Sequence, residues 1–164
     1  MSISAVVLGA GGYVGGELLR LLATHPEFDL SAAVSESQAG QPIAATFSNL
    51  GPHYEDQKFV GYDDWLDLVE DGTRLALFSA APHGASAALI SKALAATSEK
   101  NISVHVVDSS ADFRYTNQLD YEVVYGSEHG APNLLKEFTC AVPEHIENLT
   151  TEHVGHPGCF ATAA

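Results

Sequence analysis

The chain has 164 residues, of which 46% are hydrophobic, enough for one ordinary domain with a full core and unlike a disordered composition. Its 21 acidic and 7 basic residues give a formal charge of −14, which repels nucleic acid and anionic membrane and excludes both as partners. An anionic ligand must then be held by a few placed cations and by backbone N–H groups. The only cysteines are Cys140 and Cys159, the N-terminus lacks a basic n-region, and its apolar run Ala5–Leu8 is too short for a signal peptide. These features predict reduced thiols in a cytoplasmic protein.

In chain order, Ile3–Leu8 is a short apolar run ending in glycines, the pattern of a buried parallel strand. Val14–Thr24 carries Val14, Leu18, Leu21 and Leu22 at helical spacing. Leu30–Val34 predicts a second strand, and Gly40–Tyr54 reads as a loop rich in Gly, Pro and Asn. Trp65–Val69 predicts a short helix, Leu75–Phe78 a third strand, Ala85–Ala96 an alanine-rich helix and Val104–Val107 a fourth strand. Periodicity then fades over Ser109–Ala131. Glu137–Val142 predicts another strand, and Phe160–Ala164 begins a helix. Strands separated by crossover helices imply an α/β fold, a doubly wound Rossmann-type parallel sheet with helices on both faces.

Gly9-Ala10-Gly11-Gly12-Tyr13-Val14-Gly15 joins the first strand to the first helix. A dinucleotide site needs such glycines for a tight turn, for backbone approach to a pyrophosphate and for close helix–strand packing. The helix N-terminus then offers free N–H groups to the phosphates. Gly9, Gly11, Gly12, Tyr13, Val14 and Gly15 are therefore the candidate cofactor turn. An NAD site usually ends its second strand in an acid that bonds the ribose 2′-OH. Here the chain runs Val34-Ser35-Glu36-Ser37, with small hydroxyls at Ser35 and Ser37 that suit a 2′-phosphate, so NADP(H) is the predicted cofactor. Glu36 argues the other way if it points inward. Ser79, Pro82 and His83 follow the third strand, at the carboxyl edge where cofactors lie; simple packing is a rival role for each.

Cys159 follows Pro157-Gly158 and precedes the last predicted helix. A thiolate there is stabilised by the helix N-terminus, whose N–H groups also suit an oxyanion. A buried structural cysteine is the rival reading, and Cys140, within the apolar Phe138–Val142, fits that description. His145, His153, His156 and Cys159 are metal-ligand types, but Pro157-Gly158 breaks their spacing and no CxxC pair is present, so no metal is predicted.

Five segments, Gly9–Leu18 (GAGGYVGGEL), Ala81–Ser86 (APHGAS), Val107–Arg114 (VDSSADFR), Ala141–His145 (AVPEH) and His156–Ala163 (HPGCFATA), resemble N-acetyl-gamma-glutamyl-phosphate reductase in that order. The resemblance runs through nearly the whole chain, and the last segment matches the family's nucleophile turn. It implies that Cys159 attacks an acyl phosphate to form a thioester, which NADPH reduces to the semialdehyde of arginine biosynthesis. It also implies that Ser110 and Arg114 lie on the substrate loop, where a guanidinium suits a phosphate; the rival for Arg114 is an ion pair with Asp112 or Glu122. Family members have roughly twice this length. The resemblance therefore implies a dinucleotide domain over residues 1–155 and, from 156–164, the start of a truncated second α+β catalytic domain that carries the base. It further implies a homo-oligomer for the full-length enzyme. Relatives more often carry a small apolar residue or Asn where His156 stands, and His156 is expected to lower the thiol pKa or to tune substrate choice. Two alternatives remain at this point: a sister reductase for aminoadipyl or aspartyl phosphate, and a non-catalytic dinucleotide-binding module.

Overall fold

A computed structural model describes residues 2–164. Seven strands form one sheet: β1 (Ile3–Leu8), β2 (Phe28–Val34), β3 (Phe59–Val60), β4 (Arg74–Ser79), β5 (Ser103–Asp108), β6 (Phe138–Cys140) and β7 (His153–Gly155). Their spatial order is β3-β2-β1-β4-β5-β7-β6, and every neighbouring pair is parallel. The helices are α1 (Tyr13–Leu22), α2 (Ile43–Thr46), α3 (Ser86–Glu99), α4 (Gln118–Tyr125) and α5 (Cys159–Ala163). The chain winds outward from β1 through α1 to β2 and β3, returns to the other side of β1 as β4, and continues through α3 to β5. This is the doubly wound Rossmann-type arrangement, with its switch point between β1 and β4.

Alternation along β1 builds the two core layers. Val6 and Leu8 pack with Leu75, Leu77, Ile90 and Trp65 on the α3 face. Ala5 and Val7 pack with Leu19, Leu22, Ile43 and Phe59 on the α1 face. A central parallel strand is buried on both faces, which explains why Ala5–Leu8 is uniformly apolar. On the α1 face, however, cover stops at β4. Val107 of β5 is exposed there, and Val154 of β7 is only half-buried.

Four segments depart from the sequence expectations. Gly40–Tyr54 is not a plain loop. It holds α2 and a 3₁₀ turn at Ser48–Leu50, and Ile43, Phe47, Leu50 and Tyr54 pack beneath α1. Those four positions recur at helical intervals, a signal that the Gly and Pro residues around them obscured. Tyr54 donates its buried hydroxyl to the Leu19 carbonyl at 2.8 Å. Within Ser109–Ala131, α4 forms because Asn117 caps it, accepting from Leu119 N, and Gly126 ends it at φ 69°. The strands β3 and β7 are two and three residues long, too short for periodicity to register. β7 inserts between β5 and β6, so its position depends on neighbours remote in sequence.

Gly15 lies where α1 crosses the turn. A Cβ there would stand 2.6 Å from the backbone of Ala10. Gly15→Ala is therefore expected to cost about 1–3 kcal/mol, the range for overpacking, seen as a lower urea midpoint with an unchanged m-value.

Candidate functional site: the carboxyl edge of the sheet

In a parallel sheet all strand carboxyl ends share one edge. The glycine turn after β1, Ser35 after β2, the loop 80–85 after β4, the loop 109–114 after β5 and the turn 156–158 after β7 therefore collect on that edge. Cys140, the last residue of β6, joins them.

The glycines divide the turn's duties. Gly9 adopts φ 71°, and a Cβ on it would fall 2.6 Å from the Ala80 carbonyl, so only glycine lets the β1 and β4 exits meet at the switch point. Gly11 presses against Ser35 and Gln38. Gly12 caps α1 and faces open space, with only the Gly9 carbonyl near its absent Cβ. Tyr13 and Val14, the first residues of α1, are exposed. The turn is held from below by Ala10 N donating to Val34 O and Ala80 N donating to Leu8 O. Its first-turn N–H groups are left to a ligand, which fits a pyrophosphate.

Ser35 is buried against Gly11, whereas Ser37 is exposed. Glu36 does not point at the glycine turn. Its carboxylate accepts from Tyr62 N at 3.1 Å, on the β3 side. Among the described residues Glu36 is the acid next to Ser35 and Ser37, and its carboxylate is turned away from the glycine turn.

The loops after β4 and β5 are tied together by two buried carboxylates that sequence reasoning missed. Asp108 accepts from Ser86 Oγ at 2.7 Å and from Ser110 Oγ at 2.5 Å. Ser86 Oγ lies 2.7 Å from Ser79 Oγ. Asp112 accepts from Gly84 N and Ala87 N, capping the start of α3, and from the Tyr121 hydroxyl. His83 Nδ1 accepts from Ala111 N, so His83 is a positioned loop histidine. The available signal was the spacing Asp108-Ser-Ser-Ala-Asp112 directly after a strand. Burial pushes the Asp108 carboxyl above the usual carboxylate range, its serine hydrogen bonds oppose that shift, and Asp112 adds to it.

This network changes the roles expected for two serines. Ser79 is fully buried with its hydroxyl against Ser86, and Ser110 is 1% exposed with its hydroxyl given to Asp108. Neither side chain faces the open edge. Both hold the loops that do. Pro82 and His83, on the β4 loop, are exposed.

Arg114 reaches the cysteine turn. Its Nε donates to His156 O at 3.2 Å, and a Cβ on Gly158 would lie 2.9 Å from its Nη2. Tyr125 Oη stands 3.4 Å from Nη1. Among the described residues no carboxylate pairs with Arg114, so the ion pair with Asp112 or Glu122 does not form; Asp112 is committed to α3 and Glu122 to Gln118. Cys159 opens α5 and is exposed. His156 is not bonded to its thiol. Instead Nδ1 accepts from Gly158 N, and Nε2 lies by Thr162 Oγ1.

Cys140 corrects the expectation of a buried structural thiol. It ends a three-residue strand that lies at the edge of the sheet among the described residues, and it is exposed there. Partial burial raises its pKa and the nearby Arg114 charge lowers it. His153, another of the ligand-type residues, opens β7 at its amino end and is buried, with Nδ1 accepting from Val106 N, and burial lowers its pKa. Among the described residues no cluster of three His, Cys, Asp or Glu side chains converges on a metal position, and no helix is long and apolar enough to cross a membrane.

Residues 4–148 match the family described as semialdehyde dehydrogenase, NAD binding domain. The chain belongs to that family. The matched region of this semialdehyde dehydrogenase domain ends before the His156–Cys159 turn. Relatives extend further. N-acetyl-gamma-glutamyl-phosphate reductase of Pseudomonas savastanoi pv. phaseolicola is 37% identical over 96% of this chain and 43% of its own length. A protein of Aeropyrum pernix, provisionally named LysW-L-2-aminoadipate/LysW-L-glutamate phosphate reductase, is 37% identical over 99% of this chain and 44% of its own length. The chain thus spans less than half the length of these curated relatives. Among solved structures, aspartate semialdehyde dehydrogenase with NADP from Candida albicans superposes with a TM-score of 0.54 at 20% identity, covering 80% of this chain and 41% of that one, a likeness of fold.

The raised pKa of Asp108 has a definite sign. The native state keeps this proton to higher pH than the unfolded chain, so stability is lost as pH rises from the usual carboxylate range through the raised native value. Asp108→Asn does not titrate. The thermal stability of wild type relative to Asp108→Asn is expected to decline between about pH 4 and the raised value, where an ordinary aspartate would already be ionised. Paired melting curves across that range measure it.

Proposed function

We propose that this domain is the dinucleotide-binding half of an NADPH-dependent reductase that converts N-acetyl-glutamyl 5-phosphate to the 5-semialdehyde on Cys159. The observation that carries the reading is the placement of the Arg114 guanidinium on the Gly158 turn, beside an exposed cysteine and on the same sheet edge as the glycine turn. A cation there suits a substrate phosphate, and a thiolate at a helix start suits nucleophilic attack.

In this mechanism the Cys159 thiolate attacks the acyl carbon while Arg114 binds the phosphate. A carbon–sulfur bond forms, the carbon–oxygen bond breaks, and phosphate leaves. First-turn N–H groups of α5 stabilise the oxyanion. When bound, NADPH would supply the hydride that turns the Cys159 thioester into the aldehyde, and Cys159 would leave as the thiolate that began the cycle. The glycine turn holds the pyrophosphate through Gly11, Tyr13 and Val14 N–H groups, with Gly9 and Gly15 shaping the turn and Gly12, whose N–H is given to Gly9 O, leaving room for the ligand to approach. The exposed Ser37 and the buried Ser35 favour the 2′-phosphate because Glu36 is turned toward Tyr62. Pro82 borders the cofactor. Ser79 and Ser110 act on these loops from within the core, through Ser86 and Asp108. Residues 1–155 form the dinucleotide domain, and 156–164 begin a second α+β domain that supplies the base in a cytoplasmic, homo-oligomeric enzyme.

The Aeropyrum pernix relative, at the same 37% identity, supports a second acyl group, a carrier-linked aminoadipyl or glutamyl phosphate. Competing the two substrates on the longer protein, with kcat/KM compared, decides between them.

In that protein Cys159→Ser is expected to abolish semialdehyde formation while leaving NADPH affinity within twofold. A Cys159→Ser enzyme that still turns over removes Cys159 from the chemistry. Arg114→Ala is expected to lower kcat/KM for the acyl phosphate by about 10- to 100-fold, the loss of a charge-assisted hydrogen bond. For the cofactor, Ser37→Asp is expected to weaken NADPH more than NADH, measured by fluorescence titration. An equal effect on both would set aside the 2′-phosphate assignment.

A further inference from the structure

We propose that His156 is the positioning residue of the cysteine turn: its imidazole ring locks Gly158 and thereby aims Cys159. The inference deepens the reading of Cys159 as a nucleophile and rests on it.

Gly158 adopts φ 104° and ψ 157°, a conformation that glycine reaches easily and also leaves easily. It immediately precedes Cys159, so any freedom at Gly158 is passed to the thiol. A closed ring of hydrogen bonds removes that freedom. Gly158 N donates to His156 Nδ1 at 3.0 Å. Because Nδ1 accepts, the imidazole proton sits on Nε2. Nε2 faces Thr162 Oγ1 at 3.4 Å and donates to it. Thr162 Oγ1 donates in turn to Gly158 O at 2.8 Å, and Thr162 N donates to the same oxygen at 3.0 Å. Both the N–H and the carbonyl of Gly158 are thus held, and the imidazole spans between them.

The anchor of this ring is itself fixed. His156 N donates to Asp108 O at 2.8 Å, and His156 O accepts from Arg114. His156 therefore passes the rigidity of the β5 exit to a turn that packs little core of its own, since no residue of α5 is buried. This is a geometric role, and it replaces the expectation of a direct effect on the thiol. A side-chain acceptor of residue i taking the N–H of residue i+2 is the arrangement of an Asx turn, which asparagine also makes. Leucine fills similar space without an acceptor.

The test is site-resolved alkylation by iodoacetamide, with Cys140 as the internal reference for accessibility and overall fold. His156→Leu is expected to slow Cys159 alkylation about 5- to 10-fold, as for one lost hydrogen bond, with the Cys140 rate unchanged. His156→Asn is expected to recover most of the rate. In the longer protein His156→Leu should lower kcat with little change in KM. Thr162→Val, on the exposed side of α5, opens the same ring without touching the core and should slow Cys159 in the same direction at an unchanged melting temperature. Wild-type reactivity at Cys159 in both His156→Leu and Thr162→Val, or a failure of His156→Asn to recover what His156→Leu loses, overturns the positioning role and leaves the nucleophile standing. A wild-type Cys159 alkylated no faster than Cys140 overturns the nucleophile reading itself.

Discussion

Asp108 is the constraint on which the carboxyl edge depends. It ends β5, fully buried, with its side chain and main chain doing separate work. The carboxylate gathers Ser86 from the start of α3 and Ser110 from its own loop. The carbonyl accepts from His156 N. One residue therefore fixes the start of α3 after the β4 exit, the loop 109–114 and the cysteine turn relative to one another. Desolvating a carboxylate is costly, and the two hydroxyl donors offset part of that cost. The raised proton affinity is the part left over.

Asp112 extends the same logic one turn further. It caps α3 through Gly84 N and Ala87 N and accepts from Tyr121, which seats α4 against the loop. His129 Nε2 lies 2.7 Å from the Asp112 carbonyl, so a fourth segment closes on this residue. Arg114 is two residues away and inherits a rigid base. Its guanidinium can then lie on Gly158 without a carboxylate to hold it there. A preorganised cation loses less freedom when an anion arrives, which suits a chain whose charge otherwise repels anions.

The two ends of the site are built differently. The glycine-turn end is made by absence: glycines at 9, 11 and 15 let backbones and side chains approach where a Cβ would collide. The cysteine end is made by presence: His156, Arg114 and Thr162 each bond to the turn they surround. Close packing is specified by residue size alone, whereas the cysteine turn needs donors and acceptors in matched pairs. Substitution therefore acts on shape at one end and on hydrogen-bond complementarity at the other.

The sequence by itself determined the strands β1, β2, β4 and β5, the helices α1 and α3, the parallel winding and the glycine turn. Each is written in contiguous residues, as apolar runs, helical spacing or glycine positions, so local physics suffices. The resemblance brought Cys159 and Arg114 forward as residue types in a motif. Only the tertiary structure decided that Ser79 and Ser110 face inward, that Cys140 is exposed, that Glu36 turns toward Tyr62, and that β7 lies between β5 and β6. Most of those outcomes depend on partners tens of residues apart, as Glu36 with Tyr62, and the short-range bonds of Ser79 and Ser110 are themselves tied in by Ser86 with Asp108. Hydrogen bonds across such separations leave no periodic trace in a chain, because what pairs the groups is the shared edge of a parallel sheet.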